Sequence, residues 1–334
     1  MLHFRHPAAS NHDPTAWLAE HPDTPDRIRA IESLLSARDW AGAEVRIAPA
    51  ASGSELALVH TPELRSRIQA LCAAGGGEID GDTYVSACSY EAALHAAGGA
   101  TAMVRALLSG EDRVGFSGLR PSGHHATPKR AMGFCLFNNV AVAAELAVRE
   151  LGLKRVAIID WDVHHGNGTA AVFSHRPDVL YTSIHQQGLY PWTGSASESG
   201  CGEGYGYTVN LPVQAGSDGD LWLSMLEHVL LPVVIRFEPQ LILISAGFDA
   251  HRLDPLGGCR LESEDFAQLA AHVREAADLL AVPVGAVLEG GYHVSALAES
   301  VLGTLRGLAG EVTALSVGAD PYFTPRAASR LAGW

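Results

Sequence analysis

The sequence predicts a single α/β domain with a mostly parallel central sheet and helices on both faces of that sheet. Short apolar segments of strand length alternate along the chain with longer Ala- and Leu-rich segments, in which apolar residues recur at helical spacing. Strand–helix–strand alternation is typical of parallel sheets. Because neither a composition break nor a linker divides the chain, we predict one domain over residues 1–334.

The apolar segments give the predicted elements in chain order. The predicted strands are RVGFSGL (113–119), RVAIIDW (155–161), VLYTSI (179–184), LILISAG (241–247) and VPVGAVLEGG (282–291). The predicted helices are YEAALHAAGGATAMVRALLSG (90–110), NNVAVAAELAVREL (138–151), LWLSMLEHVLLPVVIRF (221–237) and EDFAQLAAHVREAADLL (264–280). The Gly-rich segment 189–207 is predicted to be a long loop, and long loops in compact domains are often functional.

Charge and cysteine content argue against some classes of function. With 23 basic and 37 acidic residues the formal net charge is −14, which argues against nucleic acid as a main partner and suits a small cationic or neutral substrate. An acidic balance is also common where it serves solubility alone. We see neither a secretory signal nor an apolar run of membrane length, and the five cysteines form no C-x-x-C pair. We therefore expect a cytoplasmic protein without a membrane partner.

The segment IIDWDVHHGNG (158–168) indicates a metal site. If the strand continues through Asp162 and His164, the alternation of side chains places Asp160, Asp162 and His164 on one face. Asp249 follows another predicted strand, and ligands of open α/β sheets bind beyond the carboxyl ends of strands. Two aspartates and one histidine can supply the three protein ligands of a catalytic zinc site. The alternative is that these residues are strand-end caps and hydrogen-bond partners.

Two adjacent histidines, His124 and His125, lie in a Gly- and Pro-rich segment. A water molecule activated by a metal needs a base, and a leaving amine needs an acid. Asp160 and Asn167 on the metal segment are the natural partners that would orient the two rings. Since a carboxylate partner favours the charged imidazolium and an amide does not, we assign His124 with Asp160 as the charged pair. His125 with Asn167 is then the neutral pair that acts as base.

The segment EGGYHV (289–294) places Tyr292 behind two glycines after a predicted strand. Glycines let the chain turn sharply and approach a ligand closely. A phenol at this place could donate a hydrogen bond to a developing oxyanion, although a tyrosine after a glycine pair is more often structural.

Taken in order, RPSGHHA, GFCLFNN, DWDVHHGNG, LYPWTG, SAGFDAHRLDPLGG and EGGYH resemble the zinc-dependent histone deacetylases and their bacterial relatives, histone deacetylase-like amidohydrolases with the arginase/deacetylase fold. The resemblance is strongest over residues 21–310. RPSGHH and Asn167 are similar to the class II branch of this family.

The resemblance implies roles for particular residues. The zinc ligands it implies are Asp162, His164 and Asp249, and the catalytic residues are His124, His125, Asp160, Asn167 and Tyr292. The substrate-binding residues it implies are Gly133, Phe134, Tyr190, Leu256 and Gly290, with Arg27 beside an internal channel. It also implies two structural potassium ions. The first would be bound by Asp160, Asp162, His164, Ser183 and Ile184, and the second by Phe173, Arg176, Val179 and Tyr207.

Two positions bear on the substrate. Leu256 stands where polyamine-specific relatives carry an acidic gatekeeper, which counts against polyamine as the preferred substrate. Trp192 replaces the first glycine of the more usual Pro-Gly-Thr-Gly, so that it either narrows or lines the tunnel mouth.

The sequence thus predicts a zinc amidohydrolase that removes acetyl or other short acyl groups from lysine side chains or similar amines. The alternatives are an amidohydrolase of acetylpolyamines or other small acetylated amines, a two-metal ureohydrolase of arginase type, and a non-catalytic acyl-ligand-binding protein. The arginase alternative needs further bridging carboxylates, and only one ligand triad is visible. The sequence leaves a homo-oligomer open.

Overall fold

The computed structural model describes residues 1–330, and within them eight parallel strands form the central sheet. In chain order the strands are β1 Leu2–Arg5, β2 Glu44–Ile47, β3 Gly76–Asp80, β4 Thr83–Ser86, β5 Val114–Ser117, β6 Val156–Asp160, β7 Val179–Gln186, β8 Thr208–Val213, β9 Leu241–Ala246 and β10 Val284–Leu288. The order across the sheet is β2-β1-β5-β10-β9-β6-β7-β8, and β3 and β4 form a separate antiparallel hairpin.

Helices cover the sheet. They are α1 Asp26–Ala37, α2 Gly53–Ala57, α3 Pro62–Ala73, α4 Ser89–Leu108, α5 Asn139–Arg149, α6 Asn167–Phe173, α7 Gly219–Met225, α8 Leu231–Phe237, α9 Ser263–Leu280, α10 Val294–Leu308 and α11 Phe323–Arg330. A π-helical turn, Leu226–Leu230, joins α7 to α8, and 3₁₀ turns occur at Pro7–Ser10, Pro14–Ala16, Asp39–Gly42 and Gly202–Gly204.

The central strands are apolar because both of their faces are covered. Helix α4 packs against β1, β5 and β10, while α5 packs against β6 and β9. Every residue of β6, β9 and β10 is buried. Continuous apolar runs of this kind are expected where a parallel sheet is buried on both faces. The predicted α/β class with a parallel sheet is confirmed.

The five predicted strands correspond to β5, β6, β7, β9 and β10, but the prediction missed three strands of the sheet. Strands β1 and β2 have only four residues each, with polar residues among them. Strand β8 contains Asn210 and Pro212, and it lies at one edge of the sheet, where a proline is tolerated. Strands β2 and β8 lie at the two edges of the sheet and need no continuous apolar run. Strand β1 lies between β2 and β5, but apolar and polar side chains alternate along its four residues, which form no apolar run.

No helix within residues 1–330 is both long enough and apolar enough to cross a membrane.

Candidate active site

Asp162, His164 and Asp249 meet beyond the carboxyl ends of β6 and β9, and all three are buried. His164 Nδ1 lies 3.1 Å from Asp162 Oδ1 and 3.1 Å from Asp249 Oδ2. Each residue offers one ligand atom, and these atoms lie within 4.8 Å of one another. The donor set of two carboxylate oxygens and one imidazole nitrogen therefore fits a single metal ion.

The alternation predicted for this segment was wrong, because β6 ends at Asp160 instead of running on through His164. Trp161 N still donates to Ser245 O of β9, but from Asp162 to His164 the backbone N–H groups donate to side chains. Asp162 N donates to Asp160 Oδ1 at 3.1 Å, and His164 N donates to Asp162 Oδ1 at 2.9 Å. Local turns of the Asx type, and not strand pleating, bring the ligands together.

Backbone N–H groups from distant segments orient both carboxylates. Gly290 N donates to Asp162 Oδ2 at 2.9 Å, and Val163 N donates to Asp249 Oδ1 at 2.8 Å. A Cβ atom at Gly290 would lie 2.1 Å from Asp249 Oδ2, which leaves no space for any other residue. The glycine after β10 is thus required for close approach to the triad.

The charge balance of the triad also favours a cation. Burial opposes protonation of His164, but the charge of Asp249 and the hydrogen bonds that the ring donates to Asp162 and Asp249 outweigh it and raise the pKa of His164 to about 10. The two buried carboxylates therefore stabilise a positive charge between them, here that of a protonated His164.

His124 and His125 lie beside the triad with different partners. His124 Nδ1 is 3.2 Å from Asp160 Oδ2, and its Nε2 is 3.8 Å from Asp162 Oδ1. His125 Nδ1 is 2.8 Å from Asn167 Oδ1. The two imidazole rings are buried and their centroids are 4.0 Å apart.

The two histidines have opposite pKa shifts. Burial opposes the charged form of His124, yet the charges of Asp162 and Asp160 raise its pKa to about 10. Burial, together with the charges of His124 and His164, lowers the pKa of His125 well below its ordinary value. The arrangement provides one cationic and one neutral imidazole within the same pocket.

Glu289 is a buried residue of this site that the sequence analysis missed as a functional group. Its Oε2 accepts hydrogen bonds from Gly123 N at 2.7 Å and His124 N at 3.1 Å, and its Oε1 accepts one from Ser245 Oγ at 3.2 Å. Burial raises its pKa to about 7. The only signal was a carboxylate directly after an apolar strand, and the partners lie 44 to 166 positions away.

Tyr292 follows β10 and contacts other residues of the site. Its ring contacts Phe134 edge to face, with centroids 5.6 Å apart, and the Arg27 guanidinium carbon lies 4.7 Å from its centroid. Arg27 is itself buried and donates to Glu289 O and to Gly291 O. Burial raises the pKa of the Tyr292 phenol well above its ordinary value, so the hydroxyl keeps its proton.

The substrate-binding residues implied by the resemblance fall into two groups. Tyr190 contacts the His125 ring edge to face at 5.1 Å, and a Cβ at Gly133 would lie 2.5 Å from His125 Cδ2. Gly133 and Phe134 both adopt positive φ, at 57° and 65°. Leu256 lies farther out, on the partly exposed loop after β9. These contacts bring Gly133, Phe134 and Tyr190 next to the histidine pair and Tyr292.

Trp192 projects mostly into solvent. Its side chain is 75% exposed, and its ring meets Tyr190 edge to face with centroids 5.4 Å apart. It also borders a groove of about 1490 Å³ that lies between the 192–199 segment, β8 and α11. Trp192 is therefore a surface residue beside Tyr190.

The two groups of residues predicted to bind potassium lie at opposite ends of β7. Ser183 lies inside β7 and pairs in register with Asp160 of β6. Ile184 is the next residue of the strand. At the other end Val179 begins β7, Tyr207 O accepts a hydrogen bond from Tyr181 N, and Phe173 O accepts one from Arg176 N.

The sequence and fold of this chain are similar to those of known proteins. The histone deacetylase domain matches residues 21–308. A histone deacetylase-like amidohydrolase of Pseudomonas aeruginosa is 42% identical over 277 residues, which cover 82% of this chain and 73% of the relative. A probable deacetylase of Methanothermobacter thermautotrophicus is 40% identical over 294 residues, which cover 87% of this chain and 86% of the relative. The crystal structure of the HDA15 HD domain matches with a TM-score of 0.91 and 34% identity, over 99% of this chain and 93% of that one. The chain belongs to the histone deacetylase family.

Proposed function

We propose that this protein is a zinc-dependent amidohydrolase that removes acetyl or other short acyl groups from lysine side chains or similar amines. The observation that carries this proposal is the juxtaposition of the ligand triad with two buried histidines of opposite charge preference. Membership of the deacetylase family supports the reaction class.

Asp162, His164 and Asp249 would hold the zinc ion. Three protein ligands with an open position are typical of catalytic zinc sites. A bound zinc ion lowers the pKa of its water to about 7 and polarises the amide carbonyl. The orienting N–H groups of Gly290 and Val163 keep the two carboxylates in place for the ion.

His125 acts as the general base in this proposal, because its depressed pKa keeps Nε2 unprotonated and Asn167 holds Nδ1. His124 stays cationic beside Asp160 and stabilises the negative charge that develops on the tetrahedral intermediate. A histidine then protonates the leaving amine. The Tyr292 hydroxyl donates a hydrogen bond to the former carbonyl oxygen.

Phe134 and Tyr190 would form the aromatic walls of a tunnel for the aliphatic stem of lysine, with Gly133 and Gly290 close to the acyl group. Leu256 would lie at the mouth. The absence of a carboxylate at that position favours acetyl-lysine over acetylpolyamines, which remain the second candidate substrates.

We further propose that potassium ions bind at the two ends of β7. The first site uses Asp160, Asp162, His164, Ser183 and Ile184, and the second uses Phe173, Arg176, Val179 and Tyr207. An arginase-type two-metal site is disfavoured, because within residues 1–330 the triad is the one cluster of three close ligands.

Turnover by the purified, zinc-loaded protein tests the proposal. We expect hydrolysis of an acetyl-lysine coumarin substrate, loss of activity in a chelator, and one zinc per chain by elemental analysis. A panel with acetylspermidine and small acetamides identifies the preferred amine. A zinc-loaded protein that binds these ligands but hydrolyses none of them would instead indicate a binding protein.

A further inference from the structure

Asp254 is a buried carboxylate in an otherwise exposed loop. Its residue is 8% exposed, whereas its neighbours Leu253 and Pro255 are exposed. All three of its hydrogen bonds come from backbone N–H groups. Asp254 Oδ1 accepts from Leu256 N at 2.9 Å, and Oδ2 accepts from Tyr292 N at 2.6 Å and from His293 N at 3.3 Å. Burying a carboxylate is costly unless its hydrogen bonds are made, and Asp254 meets this requirement with the three N–H groups.

One of the contacts of Asp254 is made to a peptide group that Arg27 also holds. Arg27 Nε donates to Gly291 O at 2.5 Å, while Tyr292 N donates to Asp254 Oδ2. Gly291 O and Tyr292 N belong to the same peptide group, which is therefore held at both ends. Gly291 has φ +118°, a conformation that glycine adopts readily and few other residues adopt. Because a glycine has many accessible backbone conformations, the position of this peptide depends on its hydrogen-bond partners.

We propose that Asp254 is a positioning residue that directs Tyr292 towards the ligand triad and connects it to the loop that bears Leu256. This inference rests on the role of Tyr292 in the proposed function. The same carboxylate holds the N–H group of Leu256 with one oxygen and that of Tyr292 with the other. The position of the loop at the mouth and the position of the tyrosine hydroxyl are therefore set together.

The isosteric variant Asp254→Asn tests the proposal. An asparagine keeps one oxygen acceptor but puts an NH₂ donor in place of the other, so it cannot accept from both segments. In crystal structures of the zinc-loaded parent and variant, we expect Tyr292 to be displaced by about 1 Å or more while the triad stays in place. A loss of at least about tenfold in kcat on acetyl-lysine, with KM within about threefold, is expected, because a displacement of this size is costly to catalysis.

A matched control makes the same chemical change where it should not affect the site. Asp265 accepts a hydrogen bond from Glu262 N at the start of α9, at 2.8 Å. Asp265→Asn should lower stability without changing kcat. The double variant Asp254→Asn/Tyr292→Phe should be about as slow as Tyr292→Phe alone, because both changes remove the same hydroxyl contact.

Two results would overturn the positioning role: an unmoved Tyr292 in the Asp254→Asn structure, or a double variant whose loss of kcat is the product of the two single losses. The structural comparison requires no turnover. If the parent hydrolyses no acylated amine, the proposed function fails while the displacement of Tyr292 still decides the role of Asp254.

Discussion

The metal edge and the mouth of the pocket are built in contrasting ways. At the edge, Asp162, His164 and Asp249 are buried, and backbone N–H groups fix the carboxylates. At the proposed mouth, Trp192 is 75% exposed and Leu256 is partly exposed. A buried charge is costly unless each of its polar atoms has a partner, whereas an exposed side chain carries no such requirement. The polar atoms of the edge are therefore constrained by their partners, whereas the exposed side chains at the proposed mouth are not.

Loss of a metal ligand is expected to have the largest effect. His164→Ala removes one of three donor atoms and leaves two buried carboxylates facing each other, so zinc and activity should disappear together. Elemental analysis and turnover of acetyl-lysine measure both. His175→Ala, which changes an exposed histidine beyond α6, should keep full zinc and activity. Full zinc content in His164→Ala would show that the ligand assignment is wrong.

Removal of the tyrosine hydroxyl should reduce catalysis without unfolding the edge. Tyr292→Phe keeps the ring contacts with Phe134 and Arg27, so zinc content and melting temperature should stay near those of the parent. A lost oxyanion donor typically costs about 10²–10³ in kcat, and KM should change little. Tyr205→Phe, which alters an exposed tyrosine, is the control. A Tyr292→Phe enzyme within about threefold of the parent kcat would mean that Tyr292 is only a packed aromatic.

Acid should destabilise the protein because several of its buried histidines are neutral in the folded state. His60 Nε2 accepts a hydrogen bond from Asn138 N at 2.8 Å, and burial lowers the pKa of His60 to about 4. Because the unfolded ring takes a proton that the folded ring does not, the stability that His60 contributes is complete above pH 6.5 and declines as the pH falls towards 4.

The decline is at most about 3 kcal/mol in the free energy of unfolding. Denaturant titrations at several pH values should show a smaller loss between pH 6.5 and 4 in His60→Gln, although that variant is less stable at neutral pH. Other buried histidines with a lowered pKa, such as His3 and His185, should account for the pH dependence of stability that remains. An unchanged slope in His60→Gln would contradict the assignment of a neutral ring.

A charge at the mouth should alter selectivity alone. Leu256→Glu places a carboxylate where a second ammonium group of a polyamine would lie, so the ratio of kcat/KM for acetylspermidine over acetyl-lysine should rise by about tenfold. Zinc content should not change. The neighbouring exposed Leu253→Glu controls for charge in general. Equal kcat/KM ratios in the parent and in Leu256→Glu would show that Leu256 does not select between these two substrates.

The sequence by itself determined the class of fold and the kinds of chemical group at the site. Buried parallel strands need continuous apolar runs, and β5, β6, β7, β9 and β10 all show them. The polar residues that follow β6, β9 and β10 could be read as a group, because the carboxyl ends of parallel strands meet at one edge. Each signal lies within a single segment of the chain, so the sequence alone carries it.

Only the tertiary structure decided how the groups are held. The N–H group of Gly290 reaches Asp162 across 128 positions, and Asp254 reaches Tyr292 across 38. Edge strand β8 likewise depends on hydrogen bonds to β7 that no apolar period encodes. Hydrogen bonds between distant segments leave no periodic trace in a sequence, because each partner is chosen by the packing of the sheet and not by its neighbours in the chain.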